Sequence, residues 1–68
     1  METKFSANLK KLRLQHKLLQ SELADKLNTT QRKISYWESG KIEPDMKALV
    51  SISAYFGISI DDLIKEEM

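Results

Sequence analysis

The chain has 68 residues, a formal net charge of +1 and no cysteine. That length allows one domain with one small core, and the lack of cysteine excludes disulfides and thiolate metal sites and fits a reducing cytoplasm. No apolar run approaches the roughly 20 residues of a membrane-spanning helix, and no signal-peptide pattern opens the chain.

Five helices are predicted, and with two Gly, one Pro and little β-branched alternation a sheet is not expected. The first runs from about Lys4 to His16, where Phe5, Leu9 and Leu12 recur at i, i+4 and i+7. The second spans Gln20–Leu27 and buries Leu23, Ala24 and Leu27. Ala24 is small, as a close helix crossing requires. Asn28 tolerates the left-handed backbone that ends a helix and turns the chain. Thr30 is a fitting N-cap for a third helix, Gln31 to about Ser39. Only Ile34 and Trp37 of that helix are apolar, so Gln31, Arg32, Lys33, Ser35 and Tyr36 are left for its other faces, and Gly40 closes it.

Gly40–Asp45 reads as a loop, because Pro44 disfavours helix at Glu43. Asp45 caps a fourth helix, Met46–Phe56, which buries Leu49, Ile52 and Phe56 and ends at Gly57. Ser59 and Asp62 resemble a capping box with Asp in place of Glu. They open a fifth helix, Ile60 to about Glu66, with Leu63 toward the core. There are no repeats, linkers or low-complexity stretches, so residues 1–68 are expected to form a single all-α domain. The Met1 start and the capped last helix lean toward a complete small protein rather than a trimmed reading head.

The stretch Gln20–Gly40 is thus two short helices joined by a tight turn, with a polar, partly basic second helix. Such a layout can push side chains into the major groove of DNA. The charge distribution agrees: residues 1–41 hold nine Lys/Arg against four acids, a net of +5, and residues 42–68 hold two lysines against six acids, a net of −4. A basic half facing phosphates is one reading of this asymmetry, and two ordinary solvated faces the plainer one.

From Phe5 to Ile64 the chain resembles the helix-turn-helix proteins of the Cro/lambda-repressor type, often called XRE-like. LKKLR (Leu9–Arg13) is similar to the family's first helix, and Gln20, Leu23, Ala24 and Leu27 to its second. Ile34, Ser35, Trp37, Glu38 and Gly40 are similar to the recognition helix and its end. Leu49, Ile52, Phe56, Gly57, Ile58, Ser59, Asp62 and Leu63 are similar to the closing helices, and Thr29–Gln31 looks especially like phage repressors. The resemblance implies a compact five-helix, lambda-repressor-like DNA-binding domain with its helix-turn-helix at 20–39. Three positions depart from the pattern. Leu19 stands where Ser or Thr usually caps the second helix, a loss of about 1 kcal/mol. Asn28 replaces a common Gly, and Leu14 a usual polar residue.

The resemblance implies that the first turns of the recognition helix meet base edges. Gln31 can pair bidentately with adenine and Arg32 with guanine, although Arg32 can instead hold a phosphate or simply be solvated, and an exposed helix Gln is the plain alternative for Gln31. Tyr36 shares a face with Arg32 and either meets a thymine methyl or phosphate or packs on the domain body. Lys33, Ser35 and Lys41 are expected at phosphates. Gln20 and Thr30 start helices two and three, where free N–H groups attract phosphate. By resemblance Gln20 also braces Gln31, and Arg13 and Glu38 form a partly buried ion pair that holds the reading helix in place. Trp37 is read as core and His16 as a surface residue at a helix end. Tyr55, Ile60 and Ile64 are apolar side chains beyond what one face needs, and are expected to form an exposed patch at a homodimer interface.

One histidine and no cysteine leave no His-based metal site, and no metal or other cofactor is expected. Asp61 and Asp62 have no neighbouring nucleophile and read as capping, so an enzyme is not expected. The function that follows is a cytoplasmic, sequence-specific regulator of transcription. It would bind double-stranded DNA as a homodimer on a two-fold-symmetric operator, as a repressor, with no membrane or small-molecule partner. An antitoxin or a restriction–modification control protein is an alternative reading. A protein-interaction module that uses the closing helix without DNA is another.

Overall fold

The computed structural model describes residues 3–65. Five helices follow in chain order: α1 (Phe5–Gln15), α2 (Gln20–Lys26), α3 (Gln31–Ser39), α4 (Met46–Phe56) and α5 (Ile60–Lys65). α3 and α4 have the bounds expected from the sequence. α1 is one residue shorter at each end, and α2 stops at Lys26 with Leu27 as its cap. The expected end of α5 at Glu66 lies outside the described residues.

Helices of 6 to 11 residues are marginal alone, so their stability comes from the apolar faces they share. α1 packs on α3 and α5, α2 on α3, and α4 on α5. Phe5, Leu9 and Leu12 of α1 meet Leu23 and Ala24 of α2, Ile34 and Trp37 of α3, Ile52 of α4 and Leu63 of α5 in one buried cluster. The Phe5 and Trp37 rings meet edge to face at 6.4 Å. Fully burying each large side chain contributes about 1.5–3 kcal/mol.

α1 to α4 all end on a left-handed residue: Lys17 (φ 56°), Asn28 (φ 57°), Gly40 (φ 78°) and Gly57 (φ 70°). At three of the ends a pair of backbone bonds closes a Schellman motif. Leu18 and Lys17 N–H donate to the Arg13 and Leu14 carbonyls, both at 3.0 Å. Thr29 and Asn28 donate to Ala24 and Asp25, at 2.9 and 3.2 Å. Lys41 and Gly40 donate to Tyr36 and Trp37, at 2.9 and 3.3 Å. Lys17 carries a Cβ in this conformation and pays the steric cost that Gly avoids. The Schellman turn that ends α1 places it there.

The starts are fixed by side chains. Thr30 Oγ accepts from Lys33 N at 3.2 Å, Asp45 from Ala48 N at 2.8 Å and Ser59 from Asp62 N at 3.0 Å. Leu19 cannot accept a hydrogen bond, but its own N–H donates to the Glu22 carboxylate at 2.7 Å, which supplies half of a capping box. The C-terminal turn of α5 is held from α1. Lys4 N–H donates to the Ile64 carbonyl at 3.0 Å, and the fully buried Asn8 amide donates to the Leu63 carbonyl at 2.9 Å. Carbonyls at a helix end lack intrahelical partners, and these bonds supply them.

That docking alters the expected apolar patch. Ile64 is half-buried and packs against the core, and Ile60 is also half-buried, because α5 is drawn onto α1. Tyr55 remains 40% exposed, while Met46 and Val50 on α4 are more open, at 68% and 52%. Leu14 is 55% exposed, and nothing in the structure explains an apolar side chain there. His16 caps α1, with Nδ1 3.0 Å from the Leu12 carbonyl and its ring edge-on to Phe56.

Candidate nucleic-acid interface

α3 is amphipathic by composition, and the structure orients it accordingly. Ile34 is fully buried and Trp37 nearly so, which turns Gln31, Arg32 and Lys33 out to solvent. Ser35 and Tyr36 are half-buried along its flanks, and Thr30 is exposed at its start. Arg32 and Tyr36 lie four residues apart on one side of the helix. The left-handed Asn28 and the Thr30 cap set the turn from which α3 leaves α2.

A polar network anchors the other end of α3. Glu38 is in its last turn, where a negative charge is disfavoured by the helix dipole. Arg13 of α1 answers that charge with two bonds, Nε to Oε2 at 2.6 Å and Nη2 to Oε1 at 3.1 Å. Arg13 Nη1 also donates to the Leu18 carbonyl at 2.8 Å. The side chains are 10% and 5% exposed, so the pair is largely dry. Its hydrogen bonds to Glu38 raise the Arg13 pKa, against the opposing effect of burial and with help from the Glu38 charge. The guanidinium is therefore held charged.

Gln20 joins this network. Its amide donates to Glu38 Oε1 at 3.2 Å, so in this structure it braces Glu38 and not Gln31 as expected from the resemblance. Lys41 lies just past α3 and is drawn back over it, with its ammonium 4.7 Å from the centre of the Tyr36 ring. The sites expected at Gln31, Arg32, Lys33, Tyr36 and Lys41 are thus gathered on and beside one helix. Tyr55, Ile60 and Ile64 stand apart from them on α4 and α5.

Sequence reasoning missed Asn8 and Glu22. Asn8 is a polar residue on the Phe5–Leu12 face of α1, and that mismatch was the available signal. Glu22 follows Leu19 by three residues, the spacing of the carboxylate half of a capping box. Among the described residues no His, Cys, Asp and Glu side chains gather into a metal-binding group. No described helix is long and apolar enough to cross a membrane.

A family model described as helix-turn-helix matches residues 9–63. The HTH-type transcriptional regulator YqaE of Bacillus subtilis is 48% identical over 63 residues, which are 93% of this chain and 54% of that protein. The chain therefore spans about half the length of that relative. The P22 c2 repressor, solved in complex with a synthetic operator, superposes with a TM-score of 0.84 at 26% identity, over 90% of this chain and 92% of that one. Hydroxypropylphosphonic acid epoxidase of S. wedmorenis superposes with a TM-score of 0.80 at 33% identity, over 93% of this chain but only 34% of the enzyme. The likeness to that protein stops at a third of its length, whereas the likeness to the repressor runs through nearly all of both chains. With its five helices, its Asn28 turn and a family match over residues 9–63, the chain belongs to the helix-turn-helix family.

Proposed function

We propose that this protein is a sequence-specific, double-stranded-DNA-binding repressor of transcription that acts in the cytoplasm as a homodimer. The observation that carries the reading is α3 itself. Its two apolar residues point inward, and Gln31, Arg32 and Lys33 stand exposed on its first turn. Gln31 and Arg32 read base edges, while Lys33, Ser35 and Lys41 hold phosphates, with Thr30 and Gln20 at the two helix starts. Tyr36 flanks the reading face. Arg13 and Glu38 hold the helix at its angle. The naming of YqaE as a transcriptional regulator and the operator bound to the P22 c2 repressor support this assignment.

Size supports the dimer. The backbone spans 27 × 23 × 20 Å and presents a single reading helix, so it can place that helix in one major groove but not in two that lie roughly 34 Å apart. One copy therefore fills one half-site, and a palindromic operator calls for two. Tyr55, with the half-buried Ile60 and Ile64, supplies apolar surface for that contact. Repression follows from occupying a promoter.

Selection of duplexes from a random pool by the purified protein, followed by sequencing, tests the function. A two-fold-symmetric motif with half-sites about one turn apart is expected. An unenriched pool at moderate salt would overturn specific recognition and favour an interaction module.

A further inference from the structure

The C-terminal end of α3 ties two of the candidate contacts together. In a Schellman motif the residue after the left-handed position is brought over the residue five before it, and the two side chains usually make an apolar contact. Here those two residues are Lys41 and Tyr36. Gly40 takes φ 78°, Lys41 N–H donates to the Tyr36 carbonyl at 2.9 Å, and Ser39 Oγ donates to the same carbonyl at 3.2 Å. The Lys41 ammonium then lies 4.7 Å from the ring centre, within the range of a cation–π contact. Lys41 is exposed, and among the described residues it forms no ion pair that would compete with this contact.

We propose that Tyr36 is a positioning residue for Lys41: its ring fixes the ammonium against α3, so that the phosphate-binding cation moves as one body with the reading helix. This rests on the DNA-binding reading above. A lysine side chain has four rotatable bonds, and holding it before binding lowers the entropy lost when it meets a phosphate. The ring acts through its face, so phenylalanine preserves the effect and leucine removes it. The Schellman bonds use the Tyr36 carbonyl and persist in both variants.

Two measurements test the proposal. In the free protein, NMR reads the ring-current shift of the Lys41 ε-methylene protons. They are expected upfield in wild type and in Tyr36→Phe, and to lose that shift in Tyr36→Leu. Equal shifts in all three would overturn the contact. The second measurement is a double-mutant cycle on a mixed-sequence duplex, which removes base reading from the comparison. Tyr36→Leu is expected to weaken binding roughly two- to fivefold. Lys41→Gln lowers the slope of log K against log salt by about 0.9, and the double variant binds no worse than Lys41→Gln alone. Additive effects, or a Tyr36→Phe variant as weak as Tyr36→Leu, would overturn the proposal while leaving DNA binding intact. A wild-type protein that binds no duplex at low salt would overturn the DNA-binding reading itself, and the proposal with it.

Discussion

Replacing Glu38 with alanine removes the acceptor for three hydrogen bonds, two from Arg13 and one from Gln20. It leaves the Arg13 guanidinium in a site where its side chain is 10% exposed, with only the Leu18 carbonyl as partner among the described residues. Removing one member of a largely buried pair costs about 3–5 kcal/mol, because an uncompensated charge stays behind. A domain of 68 residues has about 3–10 kcal/mol of total stability, so Glu38→Ala takes away a third or more of it. Urea unfolding followed by Trp37 fluorescence reads this, since Trp37 is the single tryptophan and is buried in the core. The double variant Arg13→Leu, Glu38→Leu removes both charges and is expected to be more stable than Glu38→Ala. The pKa of Arg13 is raised in the folded protein, so its contribution is complete at lower pH and is lost only as pH climbs through the guanidinium range. Between neutral pH and about pH 10 the Arg13 contribution is therefore constant. A Glu38→Ala variant within about 0.5 kcal/mol of wild type, or simple additivity of Arg13→Leu and Glu38→Leu in the double variant, would refute the coupling.

Lys17→Gly relieves a left-handed residue that carries a Cβ and is expected to stabilise the domain by about 0.5–1 kcal/mol, read as a rise in urea midpoint. Leu19→Ser supplies the missing hydroxyl at the α2 cap, where Leu19 is 66% exposed, and is expected to add up to about 1 kcal/mol in the same assay. On DNA, Arg32→Ala is expected to lose about 1–3 kcal/mol of discrimination at one base position. Lys41→Ala is expected to weaken all sequences alike. Binding assays on a panel of duplexes check this, and equal effects of both variants on every sequence would contradict the division of roles.

Where a local signal decides the structure, the sequence was legible. Thr30, Asp45, Gly40 and Gly57 bound α3 and α4 because caps and left-handed residues act within a few positions. Asn28 turns the chain for the same reason. Lys17 was not legible, since lysine has no preference for its conformation and the turn that closes α1 imposes it. Asn8 answers carbonyls of α5 more than 50 residues away, a partner that no window of sequence contains. The seating of Ile60 and Ile64 follows from that same long-range tie. The exposure of Gln31, Arg32 and Lys33 could be read from the i, i+3 spacing of Ile34 and Trp37. The stacking of Lys41 on Tyr36 depends on a Schellman geometry that Gly40 signals only in part.

The most direct test of α3 as a DNA-reading helix is an NMR titration of isotope-labelled protein with the selected duplex. Backbone amides of Gln20, residues 30–36 and Lys41 are expected to shift together on the DNA surface, and those of Tyr55, Ile60 and Ile64 with the partner subunit. Shifts confined to α4 and α5, with residues 30–36 unmoved, would contradict recognition through α3.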